Sequence, residues 1–371
     1  MQEKNESLKD IFLEMLSFNL KFETANQQRM LVGLNPDEQT LAAKRQMKYG
    51  SKLLQLFFAY KKAKLAREGI SWDSEVIGFD DISSLINKLL NTELPPGEKK
   101  RYQVVIQSLA HMTNLDIEVR STTEGNHLSI AILDAIDDKM TYANAIKPSL
   151  CALKTKYPQF IDNVFWTAEA IQFDELSCMI FSFKIASALR QSANFHTLLE
   201  SLANTDGQVN WSDFPPKFLK LCQSKTFLEG ILLKAWFIGY AKLTCSCLES
   251  DELYEKFKAL GLSEKALNQA YTMNLEEINR LAALPDIPIE SLVVNQKGET
   301  LLAYYDKHAL FKPDSSKPLG GAAQDLALHY AKDLVSALER ITDDELQQIL
   351  EGSTPFPLDT VKDESHLSNT G

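Results

Sequence analysis

The fold class turns on one stretch: Asp116-Ile117-Glu118-Val119-Arg120, then Gly125-Asn126, then Leu128-Ser129-Ile130-Ala131-Ile132. Apolar and polar residues alternate on both arms, the period of a strand with one face buried and one face wet. Gly125-Asn126 supplies the turn, so the stretch reads as a β-hairpin. Its surroundings read as helix. We therefore expect a small appendage on a helical body, and a mainly α fold of multi-helix, bundle-like domains with two small β-hairpins. The second hairpin is expected from Leu292–Val294 and Thr300–Tyr305, joined across Asn295-Gln296-Lys297-Gly298.

Upstream, Ser7 and Asp10 give a helix-start signal ahead of Leu8, Ile11, Phe12, Met15 and Leu16 at helical spacing. Asn35-Pro36 opens a second helix that Gly69 closes. Further helices are expected over Asp81–Leu90 and Gly97–Met112. Downstream, helical patterns resume near Lys139. Phe173–Leu189 and Phe227–Leu248 are apolar nearly all round, which predicts two central helices packed together. Shorter amphipathic helices follow over 251–260, 263–273 and 275–284, then 322–341 and 343–350. The expected organisation is an N-terminal helical region over 1–114 and a hairpin plus helical core over 115–285. A C-terminal unit over 286–352 and an acidic tail over 353–371 complete it.

The chain has 371 residues, 44% of them hydrophobic, 24% charged, and a net charge of −11. That balance excludes a general nucleic-acid binder, which needs a basic surface. The five cysteines are odd in number and most sit in apolar runs, as reduced thiols in a cytosol do. Phe227–Leu248 carries Glu229, Lys234 and Lys242, so it reads as a core helix and not a membrane span. No early apolar run suggests a signal peptide.

Charge is unevenly spread. Leu41–Arg67 holds eight basic residues and no acid, with Lys44, Lys48 and Lys52 on one helix face and Arg45 beside them. Lys99, Lys100 and Arg101 would extend the patch. This face predicts docking of an anionic partner, either an acidic protein surface or a phospholipid head group. No cofactor is expected.

Three constellations could carry chemistry. His196 and Glu200 form His-x-x-x-Glu on one face of a predicted helix, as a base with its orienting carboxylate or as two metal ligands. The plainer reading is an i,i+4 surface pair. Residues 202–213 place Asn204, Asp206, Asn210 and Asp213 at positions 3, 5, 9 and 12 of a calcium-type loop, with Gly207 at position 6. Leu202 lacks the first carboxylate, and Pro215-Pro216 interrupt the exit helix. A helix–turn–helix connection, with Ser212 capping the next helix, explains both. A cysteine could also pair with a histidine across the fold, although nothing in the sequence selects one cysteine.

Two resemblances follow from these residues. A serine such as Ser149 upstream of His196-x-x-x-Glu200 resembles the loose signature of bacterial effector enzymes that transfer AMP from ATP. The acidic, Ser/Thr-containing end (Asp343, Asp344, Glu345, Glu351 and the tail) resembles the translocation signal of type IV secreted effectors of intracellular bacteria. The second implies a cytoplasmic protein translocated into a host cell. The expected function is a protein-interaction or regulatory protein acting through the basic helix. The alternatives are an AMP or phosphoryl transferase at His196 and Glu200, and a degenerate calcium module.

Overall fold

A computed structural model of the chain describes residues 7–16, 36–108, 111–136, 143–172, 178–215, 218–284, 287, 292–293, 298–308 and 322–358. These fall into two compact units. One lies within Met1–Trp211 and Ala323–Glu364, the other within Ser212–Ala322.

The first unit is built on a six-stranded mixed sheet in the order β1-β2-β3-β4-β5-β6. The strands are β1 (Ser74–Gly78), β2 (Lys99–Ser108), β3 (His111–Thr122), β4 (Gly125–Leu133), β5 (Ile161–Ala168) and β6 (Gln208–Asn210). β2, β3 and β4 pair antiparallel, while β1, β5 and β6 add in parallel. The expectation of a mainly α protein is therefore corrected to α/β. The Ile117/Ile130 hairpin is the centre of the sheet and not an appendage. The segment expected to be a helix from Gly97 to Met112 is β2. Its alternating Tyr102, Val104 and Ile106, with β-branched Val105 between, favour the pleated surface.

Both faces of the sheet are covered, which makes a three-layer architecture. On one face, α3 (Ile82–Leu90) and α4 (Ala143–Lys156) lay Ile82, Leu85, Ile86, Leu89, Ile146 and Leu150 on Val104, Leu115, Ile117, Leu128, Ile130 and Val164. On the other, α5 (Cys178–Arg190) packs on β2 and β3. The polar residues of the alternation thus do not face water: Asp116 and Ser129 are buried. α5 is apolar all round because helices cover its other side. The Phe183 ring lies 5.8 Å from Phe57 and 5.4 Å from Phe58, both on α2 (Pro36–Arg67). It lies 5.0 Å from Tyr330 on α12 (Ala322–Leu338). The first helix, α1 (8–16), opens with Ser7 Oγ accepting from the Asp10 amide at 3.1 Å, as its start signal predicts. α6 (Phe195–Leu202) leads into β6, and α13 (Asp343–Leu350) begins with a capping box of Thr342 and Glu345.

The second unit gathers α8 (Asp251–Ala259), α9 (Glu264–Asn268) and α10 (Leu275–Ala282) around α7 (Lys225–Cys245). Fully buried Trp236 is its centre and donates its indole N–H to Leu267 O at 3.0 Å. α5 and α7, expected as one central pair, belong to different units. The second expected hairpin reduces to a single bridge, Val293 to Thr300, followed by α11 (Leu301–His308). Residues 294–297 of that hairpin, and 359–371 of the tail, lie outside the described residues. Of the cysteines, Cys178 and Cys222 are buried, while Cys245 and Cys247 are exposed. Among the described residues, no helix is long and apolar enough to cross a membrane.

Candidate active site

β3, β4, β5, β6 and the N-terminus of α5 bring five functional side chains to one end of the sheet. Ligands of open α/β sheets commonly sit there, beyond the carboxyl ends of strands. His111 is the first residue of β3, Asp134 follows the last residue of β4, Thr167 stands near the end of β5, Trp211 follows β6, and Cys178 opens α5. The antiparallel register that joins Asn114 to Leu133 carries Asp134 to the level of Thr113, beside His111.

His111 Nε2 meets both oxygens of Asp134, at 2.9 and 2.8 Å. The Thr113 hydroxyl donates to Asp134 Oδ2 at 2.6 Å and the Ile136 amide to Oδ1 at 3.0 Å. With Nε2 occupied, Nδ1 is the ring nitrogen left for Cys178, with which His111 shares a side-chain hydrogen bond. Burial alone would push the imidazole down. Hydrogen bonds to Asp134 and Cys178, with the charges of both, outweigh it and hold the ring protonated, pushed up to about 10. His111, Asp134 and Cys178 are all buried.

α5 is fixed against β3 by the Ser182 hydroxyl, which donates to Met112 O at 3.0 Å, one turn beyond Cys178 and one residue beyond His111. A cysteine beside a protonated histidine is the environment that activates a thiol. The segment leading to Cys178 begins at Glu169, whose φ of 71° is rare for a residue with a Cβ. It then ties back by the amides of Ile171 and Gln172, which both donate to Ala135 O. A nucleophile, a base beside it and a carboxylate behind the base form the apparatus of acyl transfer by covalent catalysis.

The residues singled out in the sequence lie elsewhere. His196 is buried and faces Asp116 (2.8 Å) and Ser129 (2.8 Å), not Glu200. Glu200 stands toward solvent, 3.5 Å from the Asn163 amide. Asp116 also accepts from Arg101 (2.8 and 3.0 Å) and Gln103 (2.7 Å). Burial would raise its carboxyl, but the His196 hydrogen bond and the Arg101 charge hold it below the usual carboxylate range. Lys99 and Lys100 are on β2 and pair with Glu118 and Asp73. On α2, Lys44, Lys48 and Lys52 are exposed and Arg45 pairs with Glu14.

The calcium-like segment is a turn. Asn204 Oδ1 accepts the amides of Asp206 and Gln208 at 3.0 Å, Gly207 adopts a φ of +84°, and Asp213 pairs with Lys234 at 2.6 Å. Among the described residues, no group of three or more His, Cys, Asp or Glu could hold a metal ion. Ser149 bonds Ala145 O within α4. The catalytic candidates His111 and Asp134 were missed because they sit at strand ends that the sequence assigned to a helix and a loop. In the sequence Cys178 is one of five thiols that no motif tells apart.

At the far end of α5 lies a cavity of about 360 Å³ lined by Trp72, Lys99, Arg101, Gln103, Glu118 and Arg190, among others. Arg190 Nε is buried there without a hydrogen-bond acceptor among the described residues. The nearby Lys61 ammonium is pushed down by burial and by the Arg190 charge.

Residues 29–239 match a family model described as YopJ Serine/Threonine acetyltransferase. Among solved structures, a deletion variant of AvrA with IP6 and CoA shares 16% identity at a TM-score of 0.51, over 89% of this chain and 99% of that one. HopZ1a in complex with IP6 shares 12% identity at a TM-score of 0.44, over 94% of this chain and 99% of that one. The curated proteins give no match.

Proposed function

Because the chain belongs to the YopJ serine/threonine acetyltransferase family, we propose that Cys178, His111 and Asp134 transfer an acetyl group from acetyl-CoA to a hydroxyl of a host protein. The observation that carries this reading is the buried Asp134–His111–Cys178 line at the N-terminus of α5. Effectors of this family are translocated into host cells. The reading replaces AMP transfer at His196 and Glu200, and it moves the main role from docking to catalysis.

The chemistry proceeds in two balanced halves. The Cys178 thiolate attacks the acetyl carbonyl carbon, and the carbon–sulfur bond to CoA breaks. The departing CoA sulfur takes the proton of the His111 imidazolium, leaving acetyl-Cys178. In the second half, neutral His111 removes the proton of a serine or threonine hydroxyl as that oxygen attacks the acetyl-enzyme. The bond to Cys178 breaks, and the thiolate–imidazolium pair is restored. Backbone amides beside Cys178 serve the oxyanion of each tetrahedral intermediate in this reading. Asp134 fixes the imidazole tautomer and stabilises its charged form.

Intact-mass spectrometry after incubation with acetyl-CoA tests the reading. The parent gains a hydroxylamine-labile acetyl group at Cys178, and Cys178→Ala neither gains it nor modifies any hydroxyl. Cys222→Ala behaves as the parent, since burial pushes that thiol up to about 12. Undiminished transfer by Cys178→Ala would remove the proposal.

A second reading concerns partners. Arg190 Nε, which has no acceptor among the described residues, supports with nearby Lys61 the binding of a phosphate-bearing anion in the cavity at the far end of α5. Calorimetric titration with IP6 tests it: Arg190→Ala weakens binding, and equal affinity for parent and variant rejects the site. The exposed Lys44, Lys48 and Lys52 supply the docking face for an acidic protein.

A further inference from the structure

We propose that Trp211 is a positioning residue for the catalytic carboxylate, and that the calcium-like turn before it exists to deliver its indole. This rests on the acetyl-transfer reading.

Asp134 stands just past the end of β4, where the ladder no longer holds its backbone. Two side chains do so instead. The Asp134 amide donates to Thr167 Oγ1 at 2.9 Å, and the Thr167 hydroxyl donates to Asp134 O at 3.2 Å. The Trp211 indole N–H donates to the same carbonyl at 2.7 Å, its ring fully buried. A carboxylate that meets both faces of its task, His111 on one side and Thr113 with the Ile136 amide on the other, tolerates little rotation of its backbone.

The path of Trp211 to that carbonyl is set by residues 204–210. Asn204 closes the turn with its side-chain oxygen. Gly207 passes so close to β5 that a Cβ there would lie 2.5 Å from Val164 O. Trp166 N donates to Gly207 O at 3.0 Å, and β6 then pairs Val209 with Thr167. Trp211 is the next residue but one. Asn204 and Gly207, two of the positions in the calcium-like spacing, are thus accounted for by the geometry of the turn.

The test is Trp211→Phe, which keeps the ring and removes the N–H. We expect turnover to fall about tenfold to a hundredfold, as for a misplacement of catalytic groups by a fraction of an ångström to an ångström. The KM for acetyl-CoA should stay within about twofold of the parent value. The pH profile of Cys178 alkylation by iodoacetamide is the second readout. Its basic limb should move to lower pH, because a loosened Asp134 holds the imidazolium less firmly. Loss of stability alone does not move that limb. Thr167→Val, nearly the same size, opens the other half of the clasp and gives the same two changes should the Trp211 variant fail to fold. Parent turnover and an unmoved profile in either folded variant overturn the proposal. Cys178→Ala, assayed alongside, separates the two ideas: if it is inactive while Trp211→Phe is normal, only the positioning role fails.

Discussion

Asp134→Asn removes one charge and little volume from the buried line, and its consequence can be worked from the imidazole it supports. Holding His111 protonated from its ordinary 6.5 up to about 10 corresponds to roughly 5 kcal/mol of preference for the charged ring. Burial works against that preference, so Asp134 and Cys178 together supply more than the net value. Of these two partners, Asp134 is bound through both carboxylate oxygens. If it supplies at least half, its loss costs about 3 kcal/mol, close to a hundredfold in rate. An asparagine at 134 can also hold the ring in the wrong tautomer, which raises the expected loss to about a thousandfold to ten-thousandfold in turnover. Single-turnover acetylation of Cys178, followed by rapid quench and mass spectrometry, reads it. The acetyl-CoA concentration at half-saturation should change little. A variant that acetylates Cys178 within threefold of the parent rate refutes the role given to the carboxylate.

Two further outcomes are expected. The folded pKa of His111 lies above its unfolded value, so its stabilisation is complete below pH 6.5 and is lost as pH rises through about 10. The stability margin of the parent over His111→Gln in urea melts should shrink across that window, and a constant margin would count against the ion pair. Phe183→Ala empties the ring cluster between α5 and α2 and should cost about 3–5 kcal/mol in chemical denaturation, whereas a loss under 1 kcal/mol would mean the cluster is loosely packed.

Much of the helical content was legible because it is written in local signals. Ser7, Pro36, Gly69 and the apolar spacing of α3 need no distant partner to be read. The sheet was half legible. Ile117, Val119, Leu128 and Ile130 alternate visibly, but the polar members between them mimic a wet face. Only the approach of α5 and α6 turns Asp116 and Ser129 into interior residues. β2 was hidden for a related reason: Lys99-Lys100-Arg101 and the short apolar run after them satisfy a helical reading until β3 offers them a partner. The catalytic line was within reach. The turn at Gly125 fixes a register that brings Asp134 level with Thr113, two residues from His111, so two of the three groups follow from extending the hairpin to both ends. Cys178 did not follow, because its approach depends on how α5 packs, and no periodicity in the chain encodes that.

The buried group around Asp116 also guards the assembly of the sheet. Arg101, Gln103 and His196 converge on that one carboxylate from β2 and α6. A slip of β3 by one residue would put Leu115 or Ile117 in its place. The guanidinium would then sit in the interior without a counter-charge and the imidazole without its hydrogen-bond partner, at a cost of several kcal/mol. The polar cluster thus acts as a lock-pin: it makes the wrong pairing of β2 with β3 expensive, and it does so at the strands that set His111 in place.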